Sequence, residues 1–172
     1  MATTKEKTLA DAFYETLKDV HYAEKAALKA LKKSAKAAKH PELTAHAEET
    51  THQIERLQQV FELIDRPARA KPCEAMQGIV SEMEEDLEDF GDTPAGDAVL
   101  IGCGQAVEHY EMARYGMLKT WATQLGYAEA AKLLEETLSE EKKADALLSK
   151  IAQKVNAAAQ GGATPGGRPK AD

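Results

Sequence analysis

No stretch of this chain comes near the roughly 18 consecutive apolar residues that a membrane-spanning helix needs. Its opening residues, Met-Ala-Thr-Thr-Lys-Glu-Lys, lack the apolar segment of a signal peptide. Both absences speak against a membrane partner and set the expectation of a cytoplasmic protein. Cysteine is scarce as well. Cys73 and Cys103 form no C-x-x-C and have no third partner, which excludes a disulfide scaffold and a cysteine-built metal site. Aromatics are only 5% of the residues, and runs of Val, Ile and Thr are missing, which excludes a strand-built fold. Basic residues are outnumbered to a net charge of −7, so a nucleic-acid surface is not expected as the main business of the chain.

What remains is helix-forming material. Ala, Leu, Glu and Lys dominate, and 172 residues suit one domain with a sizeable core. Thr8 with Asp11 makes a capping-box-like start, after which Leu9, Phe13, Leu17, Val20, Ala27 and Leu31 recur at helical spacing. His40-Pro41 breaks the run, with Pro41 suited to the first turn of a second helix that stops before Asp65. A long connection follows, holding one short amphipathic helix over 74–90. Thr93-Pro94 is expected to cap a third long helix, ended by Gly126, and a fourth follows at once. Residues 1–7 read as a flexible N-terminus, 8–156 as the bundle and 157–172, rich in Gly, Pro and Ala, as a disordered tail. Two tight helical hairpins joined by one long crossover are the connectivity of an all-α, ferritin-like four-helix bundle.

Several acids sit where those helices should be apolar. One stripe reads Ile101, Gly104, Glu108, Glu111, Tyr115, Leu118; another reads Leu134, Leu138, Glu141, Asp145, Leu148; Glu24 lies among Leu17, Ala27 and Leu31, and Glu49 edges the second helix. The midpoint of Glu111 and Glu141 is 126, the position of Gly126, so the pair lies level across the hairpin. That of Glu24 and Glu49 is 36.5, just before His40-Pro41, and sets the expectation that they too are level. One glutamate among 29 acidic residues carries no information. Acids on all four helices at one height do, because buried carboxylates repel and cost several kcal/mol each unless a cation joins them. A metal pair is the simplest such cation, with Glu24, Glu49 and Glu141 as ligands and Glu108 or Glu111 bridging. Helix two offers two imidazoles. Glu49-Thr-Thr-His52 has the E-x-x-H spacing of di-iron bundles, while helical phase turns His46 inward and His52 away. Carboxylates with an imidazole bias the site toward iron or manganese, two ions per chain.

His46-Ala-Glu-Glu-Thr-Thr-His, Pro72-Cys-Glu-Ala-Met-Gln-Gly, Val107-Glu-His-Tyr-Glu-Met-Ala-Arg and Thr137-Leu-Ser-Glu-Glu-Lys-Lys-Ala-Asp together resemble the YciE/YciF family of ferritin-like proteins, over about residues 8–156. The resemblance implies a rubrerythrin-related bundle, a homodimer, in a cytosolic bacterial stress response. The chain departs from rubrerythrin at helix four, where Ala144 stands in the place of the E-x-x-H histidine with Asp145 beside it, and it has no cysteines for a rubredoxin-like module. Two functional classes follow. One is redox chemistry at a di-iron or di-manganese centre, oxidising Fe(II) or decomposing peroxide. The other is a non-enzymatic helical stress protein with a structural or vestigial site.

Overall fold

The computed structural model describes residues 6–38 and 41–161. Among them are five helices: α1 (Leu9–Ala38), α2 (Pro41–Leu63), α3 (Glu74–Phe90), α4 (Gly96–Gln124) and α5 (Ala128–Gly161). The short helix of the crossover is α3, and the other four form the bundle, as the hairpin–crossover–hairpin pattern requires. None of the described helices is long and apolar enough to cross a membrane.

The element boundaries follow from local chemistry. At the start of α1 the Thr8 amide and hydroxyl both donate to Asp11 Oδ2 (2.9 and 2.8 Å), while Thr8 Oγ1 accepts the Asp11 amide at 3.2 Å. At the end of α4, Gly126 takes φ +80°. The Tyr127 amide then reaches Ala122 O (2.9 Å) and the Gly126 amide reaches Thr123 O (3.2 Å), the paired bonds of a Schellman stop. The same pattern ends α2, where Arg66 bonds Phe61 O and Asp65 bonds Glu62 O, with Asp65 itself at φ 52°. The expectation at α4's start needs correction. Thr93 accepts the Ala95 amide within a tight turn, but the N-cap is Ala95, and the helix begins at Gly96. At the other end, α5 runs on to Gly161, past the expected tail start at 157. Ala157, Ala158, Ala159 and Gln160 are good helix formers, and the first breaker is Gly161. Residues 1–5 and 162–172 lie outside the described residues.

The crossover is tied to α1. His21 Nδ1 lies 3.1 Å from Arg69 O, the Lys71 amide donates to Lys18 O, and α3 packs its Met76 and Met83 inward. Cys73 Sγ accepts the Met76 amide at the start of α3 and lies 2.9 Å from the Tyr110 hydroxyl of α4. Down its axis the bundle has three tiers. An apolar tier of Phe13, Leu17, Leu57, Phe61, Leu118 and Leu134 fills the end near the α4–α5 turn. A polar tier occupies the middle. Beyond it, toward the α1–α2 turn, the hairpins part around a cleft.

Candidate metal centre

The middle tier is built by helical phase. Glu108 and Glu111 lie three residues apart on one face of α4, and the Gly126 turn sets Glu141 of α5 level with them. Glu24 completes the ring from α1. All four carboxylates are 3% exposed or less. Tyr115, fully buried one turn below Glu111, donates a short hydrogen bond to Glu24 Oε1. From α2, His46 Nε2 stands 2.9 Å from Glu108 Oε1, and its Nδ1 stands 3.5 Å from Glu49 Oε2.

Five carboxylate oxygens in this ring are buried without a hydrogen-bond partner: Glu24 Oε2, Glu108 Oε2, Glu111 Oε1 and both of Glu141. So many orphaned acceptors in one place are rare in folded proteins and point to a missing positive partner. The donor atoms form two groups, each with all atoms within 4.8 Å of one another: His46–Glu108–Glu141 and Glu24–Glu111–Glu141. Glu141 belongs to both. These residues fit two adjacent cations, one with an imidazole and one held by carboxylates alone.

The electrostatics agree. Burial pushes the Glu24 carboxyl up to about 7, against the hydrogen bond from Tyr115, which lowers it. Burial, then the neighbouring Glu111 and Glu24, push Glu141 up to about 12. Burial and the charges of Glu24 and Glu108 hold Glu111 well above the usual carboxylate range. Burial alone would depress His46, but its contacts with Glu108 and Glu49 raise it. Without a cation the ring is therefore held together by protons, and a metal can take their place.

The structure gathers Glu24, His46, Glu108, Glu111 and Glu141 into one cluster, but not Glu49. The Glu49 side chain is 40% exposed and stands in neither donor group. Phase keeps it out, since its side chain lies at the edge of the inward face of α2, and its height also differs from the expectation. α1 ends at Ala38 and α2 starts at Pro41, which puts the turn's midpoint at 39.5 rather than 36.5. Glu49 therefore sits about 9 Å further along the bundle than Glu24, at about 1.5 Å per residue. His46 stands almost a turn further still, yet its side chain is only 16% exposed and its Nε2 meets Glu108, so orientation rather than height decides which of the two joins the cluster. His52 points to solvent, 69% exposed, beside Glu55. Asp145, expected inward among leucines, instead turns to the α4–α5 flank, meeting Gln105 (3.1 Å) and His109 (3.3 Å).

One feature lay hidden in the sequence. Arg56 of α2 forks onto Glu140 of α5 with contacts of 2.8 and 2.6 Å and donates to Thr137 Oγ1, and Gln53 adds a bond to Glu140. The clamp lies immediately behind Glu141. Its signal was the adjacency of Glu140 and Glu141 opposite a basic residue on the flank of α2's stripe, a pattern too common on helices to stand out.

Residues 8–160 match a family described as a domain of unknown function, DUF892. The chain is 45% identical over 151 residues to Protein YciF of Escherichia coli K12, covering 85% of this chain and 91% of that protein. The crystal structure of the E. coli stress protein YciF superposes with a TM-score of 0.82 at 43% identity, covering 87% of this chain and 98% of that one. YcfI from Rhodopseudomonas palustris, for which a structural role has been suggested, gives 0.80 at 37% identity over 87% and 98%. A Xanthomonas campestris protein at 24% identity shares the fold, with a TM-score of 0.70 over 90% and 97%. The chain belongs to the DUF892 family, that of the stress protein YciF.

Proposed function

We propose that this chain is a ferritin-like di-metal carboxylate protein of the bacterial stress response. In this reading it holds two iron or manganese ions, oxidises Fe(II) or decomposes peroxide, and works as a cytoplasmic homodimer. The observation that carries it is the pair of donor groups sharing Glu141, with five orphaned buried oxygens between them. His46 and Glu108 would hold one ion and Glu24 and Glu111 the other, with Glu141 common to both. Such a pair, when bound, supplies redox chemistry at neighbouring centres. The remaining work belongs to the protein. Tyr115 fixes Glu24 through Oε1 and leaves Oε2 turned to the ring. Glu49 orients the His46 imidazole by its Nδ1 and so presents Nε2 inward. The Arg56–Glu140 fork fixes α2 against α5, and the apolar tier below keeps water out from that side.

Elemental analysis of protein grown with iron and manganese is expected to show about two ions per chain. Glu108→Gln combined with Glu141→Gln is expected to abolish the loading, and full occupancy in that double variant would overturn the site. The second reading is a stress protein whose site is structural. It draws on Ala144, which leaves α5 without a histidine in the E-x-x-H position and the second donor group without an imidazole. Metal-loaded protein that consumes neither oxygen with Fe(II) nor peroxide would select that reading.

A further inference from the structure

Beyond the carboxylates, toward the α1–α2 turn, the hairpins enclose a cleft of about 640 Å³. That is within the roughly 300–1,000 Å³ typical of small-molecule sites. Ala27, Leu31, Leu100, Ile101, Leu148 and Ile151 are among its walls, and His46, Glu108 and Glu111 form its inner end. Ala27 and Ala144 present only methyl groups to the space, and at Gly104 the Leu148 side chain packs where an added Cβ would meet it at 3.3 Å. Charge is confined to the ends and rim. Lys143 and Lys154 both border the cleft, and among the described residues neither has an ion-pair partner, whereas Asp97 is already engaged.

We infer that this cleft binds a medium-chain carboxylate, with its headgroup at Lys154 and its hydrocarbon tail running down the apolar wall to the carboxylate ring. A carboxylate head stays in water at the exposed Lys154 and would be desolvated at the inner end, which selects head-out binding. Lys154 lies about 20 Å from Glu141 along α5, at about 1.5 Å per residue, which suits an extended chain. Two other occupants fit less well. Residues 162–172, Gly-Ala-Thr-Pro-Gly-Gly-Arg-Pro-Lys-Ala-Asp, offer no large apolar side chain to fill an apolar space. A second copy of the chain meeting this face across a two-fold axis sets one concavity against another and leaves both unfilled. The inference stands on the cleft and does not require the metal reading.

The test is calorimetric titration of the full chain with sodium dodecanoate below its micellar range, alongside dodecyltrimethylammonium. Metal content and sedimentation are measured on the same samples. Wild-type protein is expected to bind dodecanoate one to one and the cationic amphiphile far more weakly. Ile151→Trp, which fills the cleft from a partly exposed position about 15 Å along α5 from Glu141, is expected to abolish binding with helix content and metal content unchanged. Lys154→Glu is expected to weaken dodecanoate about tenfold or more, the loss of a charge-assisted contact. No binding by wild-type protein, equal binding of both amphiphiles, or undiminished binding in Ile151→Trp would each overturn the proposal. So would a dimer that falls apart in Ile151→Trp, since the cleft would then be an interface between copies. Metal without dodecanoate binding removes this inference alone. Dodecanoate binding without metal removes the di-metal reading alone.

Discussion

Glu141 has two buried oxygens with no hydrogen-bond partner and a place in both donor groups, so the arrangement of the centre turns on this side chain. Its neighbours differ in reach. His46 stands further along the bundle than Glu24, yet its ring delivers Nε2 to Glu108. His52, six residues on, is almost two turns away and on the solvent face. His46→Ala is therefore expected to weaken metal binding by at least the roughly 10–100-fold seen when a supporting group near a metal is lost. His52→Ala is expected to leave it nearly unchanged, and metal titration of the two variants decides between them. A stronger effect at His52 would mean that α2 is rotated by more than a third of a turn. At this scale phase was a better guide than motif. The E-x-x-H spacing singled out His52, whereas counting about 100° per residue from Leu57 found the inward-facing imidazole. Phase alone could not separate Asp145 from Glu141, because both lie on one broad face and only the packing of α4 against α5 turns Asp145 toward His109.

The helices owe their lengths to their ends, and two of them stop by the same backbone device with different residues. Gly126 adopts φ +80° with nothing within 4 Å of where a Cβ would stand, so any substitution there reports the backbone alone. Gly126→Ala is expected to lower stability by about 1–2 kcal/mol, the cost of a left-handed residue with a side chain. Asp65 already bears that cost at φ 52° on an exposed turn. Asp65→Gly is expected to change stability in the opposite direction by a smaller amount, since glycine loses more entropy on folding. Denaturant midpoints of both variants check the pair, and a destabilising Asp65→Gly would show that the Asp65 side chain is itself stabilising the turn. Gly126 and the α3 boundaries were legible because glycine and the apolar period mark them directly. The end of α2 was legible as a stop before Asp65, but not its left-handed turn, since an aspartate does not advertise positive φ. The height of Glu49 was misplaced because the α1–α2 turn lies three residues later than the midpoint suggested, an offset that doubles across a hairpin.

On the proposed di-metal reading, the stability of the whole molecule is expected to depend on pH and on metal in opposite ways. Glu24 rises from about 4.5 to about 7 on folding, chiefly by burial, while Glu141 rises to about 12 and Glu111 rises in the same direction. A carboxyl with a raised folded value favours the folded state fully below its unfolded value. That advantage is lost as pH rises, because the unfolded chain ionises first. For Glu24 the loss falls between about pH 4.5 and 7, and the other two extend it to higher pH. Metal-free protein is therefore expected to melt at progressively lower temperature from pH 5 to 8. Metal acts the other way, since its ligands must shed protons to bind it and its affinity grows with pH. At a hundredfold excess over its dissociation constant it stabilises by roughly 3 kcal/mol. That corresponds to roughly 6–12 °C in a domain of this size. Scanning calorimetry with and without chelator across that pH range is expected to show two melting curves that diverge as pH rises. A separation that stays constant would mean that the ring carries no protons for a metal to displace.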